Sequence, residues 1–302
     1  MKKLERTSLT LTVEIPILLF LWRWKVATTS AIHLRFEPDF KWTKNTSYSR
    51  MLTLKRKGFV DFKYSDNCLF KTWTLTQRGF KAISNKLPQL REEGYLSENI
   101  EHDIYVLAAH NGNWIARHSA IDVKNITEQE LRRYAIESLP NYLPSVLEHK
   151  PDGYWVFGKD NSRRIISLEV EINRKSGDDY SIVGDFYNTN PQITFVLWIV
   201  QSQSLANKIV TAASQKLGLY RDIHNFILLS DFAELGWDAV IFHGKCARLK
   251  MHEFLNIHRP KQLLNKSQTS LKHVYVQTIL DSRVTRYKSS TYENQPKDHF
   301  GN

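Results

Sequence analysis

Only two of the 302 residues are cysteines, Cys68 and Cys246, and they stand far apart without partner spacing. That scarcity argues against a disulfide framework and against a cysteine-based zinc site. A reducing, cytoplasmic setting is the natural expectation. Long hydrophobic runs are also missing. The most apolar stretch, IPILLFLW, lies between Glu14 and Arg23 and falls short of the roughly 20 residues a membrane-spanning helix needs. It lacks a small-residue cleavage site as well, so it does not read as a signal peptide. No internal repeat occurs. With 42% hydrophobic and 12% aromatic residues, the chain has the composition of a folded protein.

Positive charge is present in excess, and it is segregated. Residues 1–91 carry 18 lysines and arginines against 6 acids, residues 92–255 carry 16 against 22, and residues 256–302 carry 8 against 3. A basic head and a basic tail flank an acidic middle, and basic ends point to an anionic partner such as nucleic acid.

The head has the rhythm of a winged helix-turn-helix, with a domain expected over 1–86. VEIPILLFLWRW supplies a first helix, TTSAIHLRF a second capped by Thr28 or Thr29, and NTSYSRMLTLKRKGFV a third that Gly58 ends. In the third, Tyr48, Met51, Leu52 and Leu54 give the apolar spacing. Thr46, Ser47, Ser49, Arg50, Thr53 and Lys57 form the polar side that a recognition helix would turn to a major groove. Two alternating strands around SDN then read as the wing. Lys55, Arg56, Lys63 and Lys71 complete the expected DNA-binding set. Packing against the rest of the chain is the competing role for this unit.

Residues 87–97 read as a linker, and 98–255 as a mixed α/β domain. Its expected order is a helix, three strands, a helix, a strand and a helix, followed by two more strands. Thr127 and Glu130 have capping-box spacing. Within the strand RRIISLEVEI, alternation puts Glu169 and Glu171 on one face. Like charges there are costly unless something offsets them: a metal ion, a basic side chain or water. Asp152, in KPDG, opens the preceding strand, and a hairpin would bring it beside Glu169. Glu101 and Asp103, in a helix start, come before both. Carboxylates converging on one spot need a cation, and oxygen-only ligands suit Mg²⁺ or Mn²⁺. Such an ion activates water for phosphodiester cleavage. The competing readings are a turn aspartate in Pro-Asp-Gly for Asp152, and a solvent-facing strand side for the two glutamates.

PD at 151–152 and EVE at 169–171, in this order of elements, resemble the PD-(D/E)XK, restriction-endonuclease-like superfamily over about residues 98–245. Joined to the head, EHD, PDG and EVEINRKSGDDYSIVGDFY are similar to the replication-relaxation proteins of mobile plasmids. They look most like the MOBC class of conjugative relaxases, over roughly residues 10–215. The resemblance implies a cytoplasmic, Mg²⁺- or Mn²⁺-dependent nickase acting at a transfer origin. Asp152, Glu169 and Glu171 would be its catalytic acids. A type IV coupling protein or other relaxosome components would be its partners. The absence of any His-x-His run agrees with that class, which departs from ordinary relaxases. The superfamily usually places lysine where Glu171 stands here, so the motif cation falls to Lys175 or to Arg174.

A non-catalytic DNA-binding accessory protein with a degenerate nuclease fold is the alternative, and a nuclease of another class a third. Tyr180 and Tyr187, seven residues apart, read as packing residues. His102 reads as a surface or packing residue, and Trp155, Trp198 and Trp237 as core. The tail from about 259 has the composition of a flexible, DNA-holding extension.

Overall fold

A computed structural model describes residues 10, 12–65, 71–111, 123–158, 163–214 and 221–255. The basic tail, most of the strand expected over 114–123 and most of both hairpin turns lie outside the described residues.

The head is built from α1 (Glu14–Trp24), α2 (Thr29–Phe40), α3 (Lys44–Arg56), the antiparallel pair β1 (Val60–Tyr64) and β2 (Lys71–Leu75), and α4 (Gln77–Ile83). Threonine hydroxyls start three of the helices. Thr28, Thr43 and Thr76 accept the N–H groups of Ala31, Thr46 and Gly79, and each such cap stabilises by about 1 kcal/mol. The phase of α3 differs from the sequence expectation. Ser47, Met51 and Leu54 are the buried residues, whereas Tyr48 is 40% exposed. Spacing of i, i+4 and i+7 selects that stripe, and a small serine fits the crowded position. Its hydroxyl turns inward to the Thr43 carbonyl at 3.2 Å. Ser47 is therefore removed from the DNA-facing set.

The rest of the chain is mixed α+β. After α5 (Ile100–Asn111) come β3 (Val123–Thr127), α6 (Glu128–Arg133), β4 (Gly153–Phe157), β5 (Arg164–Glu171), α7 (Gly177–Thr189), β6 (Ile193–Val200), α8 (Gln203–Ser214), β7 (His224–Leu228), α9 (Leu229–Leu235), β8 (His243–Gly244) and α10 (Met251–Phe254). The six strands from β3 to β8 form one sheet in chain order. β4 lies antiparallel between β3 and β5, while β5, β6 and β7 run parallel. The expected capping box is present, with Thr127 and Glu130 as its two members. The helix it starts ends at Arg133, shorter than expected.

Alternation divides the sheet. Trp155, Ile166, Leu168, Val170, Leu197 and Ile199 join one apolar cluster with α5 and the head helices. Ile165, Tyr154, Val196 and Trp198 face the other way, into a cluster with Tyr180, Tyr187, Ala206 and Ile209 of α7 and α8. The sheet is covered on both faces, which is why β5 and β6 are apolar along nearly their whole length. Trp155, Trp198 and Trp237 are core residues, 0%, 2% and 3% exposed.

Head and sheet share more than apolar surface. Lys25 Nζ, just past α1, lies 2.7 Å from Asp103 and 2.8 Å from Glu128. Residues 87–97 are held on both sides: Trp22 Nε1 and Gln129 Nε2 both donate to the Gly94 carbonyl, and Arg91 donates to the carbonyls of Leu131 and Arg132.

Candidate active site

The register of the central hairpin sets the site. Gly153 pairs with Leu168, so the next step places Asp152 opposite Glu169, at the carboxyl end of the parallel strands. Ligand sites of open α/β sheets collect at this end. The Asp152 N–H donates to the Leu168 carbonyl (3.1 Å), and its Oδ2 accepts the Val170 N–H at 2.7 Å. Gly153 is required for close approach and not for a turn. A Cβ there would meet His110 Nε2 at 2.5 Å and the Ile126 carbonyl oxygen at 2.8 Å.

Asp152, Glu169 and Glu171 are 7%, 8% and 5% exposed, too buried to be neutralised by bulk water. All three line one cleft of about 840 Å³, together with Asp103, Lys25 and Lys175. Each has its own base. His102 Nε2 of α5 lies 3.3 Å from Asp152 Oδ2, and its Nδ1 lies 3.5 Å from Asp103 Oδ1. His149 Nε2 lies 2.7 Å from Glu169 Oε1, the oxygen to which the Tyr187 hydroxyl also donates. Ser167 Oγ completes that chain, 2.8 Å from the Tyr187 oxygen. Lys175 Nζ lies 2.8 Å from Glu171 Oε2.

Electrostatics follow from these pairs. Burial pushes Asp152 up, but the charge and hydrogen bond of His102, the Val170 N–H and Lys25 outweigh it and hold the carboxyl below its ordinary value. Burial alone would make His102 neutral. Asp152 and Asp103 instead raise it, to about 11. Glu171 goes the other way: burial, with Glu169 and Asp152 adding to it, raises its carboxyl in spite of Lys175. Beneath them His110 is buried between Trp24 and Trp155, and burial drives it down to about 3, a neutral ring.

The structure thus brings Asp152, Glu169, Glu171, Asp103 and Lys175 to one cleft. Glu101, on the same helix turn as Asp103, is not among the cleft-lining residues, and neither is Arg174, which is exposed. Asp103 is committed to Lys25 and His102. Among the described residues, no three His, Cys, Asp or Glu side chains converge to hold one ion. The contacts of the remaining acids fall on one oxygen each: Asp152 Oδ2, Glu169 Oε1 and Glu171 Oε2. Among the described residues, the second oxygen on each makes no side-chain contact. Two carboxylates with water and phosphate oxygens suffice for Mg²⁺, so Asp152 and Glu169 fit a divalent ion as a two-acid set.

His102, His149 and Lys25 were not legible as site residues from spacing alone. The signal for both histidines was adjacency to a candidate acid, in EHD and in EHKPD. Tyr180 and Tyr187 are core residues as expected, 1% and 0% exposed, and their hydroxyls also serve the site. Tyr180 accepts the Lys175 N–H at 2.9 Å.

In the head, Ser49, Arg50, Arg56, Lys63 and Lys71 are exposed and Thr46 and Thr53 half-buried. The Arg50 guanidinium lies over the Trp42 ring at 4.5 Å, and Lys71 Nζ over Phe62 at 4.2 Å. Lys55 is paired with Asp61, and Lys57 with Glu14 at 2.8 Å. These two lysines are therefore tied within the head.

Compared with known protein families, with curated proteins and with solved structures, the chain matches none.

Proposed function

We propose that the chain is a metal-dependent, strand-specific DNA endonuclease of the relaxase type. On this reading the head binds double-stranded DNA at a transfer origin as a winged helix-turn-helix, and relaxosome components such as a coupling protein dock on the complex. The carrying observation is the opposition of Asp152 and Glu169 across the β4–β5 hairpin, each with one oxygen that makes no side-chain contact among the described residues, in a cleft at the carboxyl end of the sheet.

Charge supports the need for a cation. The cleft lining has eight acids against six lysines and arginines, a balance that favours a bound cation. A Mg²⁺ or Mn²⁺ ion held by Asp152 and Glu169 would polarise the phosphoryl oxygen and lower the pKa of bound water. His102 and the Val170 N–H fix the Asp152 carboxylate in its ionised form. Tyr187 and His149 fix Glu169 through one oxygen. Glu171, with its carboxyl raised by burial, is a better base than an ordinary glutamate. Its free oxygen takes the proton of the attacking water while Lys175 holds the other. The exposed cations Arg50, Lys63 and Lys71 of the head supply phosphate contacts, and Ser49 and Thr46 the polar face beside them.

The test is incubation of purified protein with a supercoiled origin plasmid and Mn²⁺. The expected product is open circle, lost in Asp152→Ala and Glu169→Ala. Linear product would point to a nuclease of another class. One observation favours a second reading, a DNA-binding accessory protein without chemistry: His102, His149 and Lys175 already contact the three acids. In that case Mn²⁺ would leave Tm unchanged and the plasmid supercoiled.

A further inference from the structure

Three further cations, Arg91, Arg132 and Lys150, line the same cleft. Arg91 is fixed in place by Nε donating to the Arg132 carbonyl and Nη2 to the Leu131 carbonyl, both at 2.8 Å. Arg132 extends from the same turn, its Nε 2.7 Å from Glu128, which also serves Lys25. Lys150 stands two residues before Asp152 and lines the same cleft. Among the described residues its ammonium makes no hydrogen bond or ion pair. Burial, then Arg91 and Arg132, push its pKa down, while Glu128 and Glu92 oppose the shift. Glu128 is taken up by Arg132 and Lys25, which leaves the Lys150 ammonium without a carboxylate in contact and favours an outside anion beside it. The two planar guanidiniums, one pre-set by backbone carbonyls, suit the oxygens of a phosphate.

We propose that Arg91, Arg132 and Lys150 form a phosphate subsite that holds a backbone phosphate of a nucleic acid strand beside the Asp152–Glu169 pair. The placement rests on the nuclease reading; the binding of phosphate does not. The subsite also supplies a cleft cation that makes no ion pair among the described residues. Lys175 is committed to Glu171, so Lys150, free and closer in sequence to Asp152, takes the charge that the motif lysine would have carried toward the substrate.

The experiment measures affinity of the full-length chain for a fluorescent duplex across a salt series, without divalent ions. Lys150→Ala should weaken binding several-fold and make the slope of log K against log salt shallower by about 0.9, the value for one lost phosphate contact. Lys150→Arg should restore both. Tm of Lys150→Ala should not fall, because the side chain bonds nothing and its removal relieves repulsion. An unchanged slope and affinity in Lys150→Ala would overturn the subsite. The two proposals fail separately. A parent chain that never nicks, with a slope that still falls in Lys150→Ala, keeps the subsite and removes the nuclease. A parent that nicks, with an unchanged slope, does the reverse.

Discussion

The head and the cleft handle charge in opposite ways. In the head, cations such as Arg50 and Lys71 stand exposed over aromatic rings, with no ion pair among the described residues. In the cleft, four acids are buried and each has a base beside it: His102 for Asp152, His149 for Glu169, Lys175 for Glu171, Lys25 for Asp103. Exposed unpaired charge is inexpensive in water, and its use is to meet an outside partner. Buried charge is tolerated only when paired, so the cleft acids are held by a network whose members cannot be removed one at a time without consequence. Charge segregation along the chain therefore marks two different kinds of surface.

The comparison can be broken most severely at the acids. Asp152→Asn keeps the shape of the side chain and removes its charge. Nicking should fall by about a thousand-fold if the two-acid site supplies several kcal/mol of barrier lowering, as read by the initial rate of open-circle formation. A rate within a few-fold of the parent would place the chemistry elsewhere. Next in size is Lys25→Met, which removes the cation that buried Asp103 shares with half-buried Glu128. Loss of one partner from a buried pair costs about 3 kcal/mol or more, and urea unfolding should show it as a lower midpoint.

A smaller, pH-dependent effect sharpens the same contrast. Asp152, held below its ordinary value, contributes stability that is present above pH about 4 and lost as acid protonates it. His102, raised by its two aspartates, contributes stability that is full below pH about 6.5 and lost as pH climbs through its raised value. The Tm difference between the parent and His102→Gln should be widest between these limits and narrow on either side. A difference that grows steadily with pH would contradict the clasp. The smallest effects belong to the head. Arg50→Ala should make the salt slope of DNA binding shallower by about 0.9, while Ser47→Ala should leave affinity unchanged because that hydroxyl is turned inward. Equal effects from the two would mean that α3 does not face the DNA.

Much of this was legible in the sequence, and for identifiable reasons. The period-2 alternation of ISLEVEI sets Glu169 and Glu171 on one side of β5, and the short hairpin brings Asp152 across from Glu169. The threonine caps and the Thr127–Glu130 box are local, so spacing is enough to find them. Other features depend on distant packing. In α3 the buried stripe is one position away from the apolar count, because the fold buries Ser47 and leaves Tyr48 exposed. LSDFAEL forms a short helix, α9, directly after β7, although its sequence also suits a continued strand. His149 and Lys25 reach the acids only through tertiary structure, 20 residues from Glu169 and 78 from Asp103 in the chain.

The central claim is that Asp152 and Glu169 are a divalent-ion site held ready by their bases. Titration of the chain with Mn²⁺, followed by the electron paramagnetic resonance signal of the free ion, tests it most directly. The account predicts that the parent chain withdraws one Mn²⁺ per molecule from the free pool and that Asp152→Asn and Glu169→Gln do not. Equal free-ion signals for the parent and both variants would contradict it.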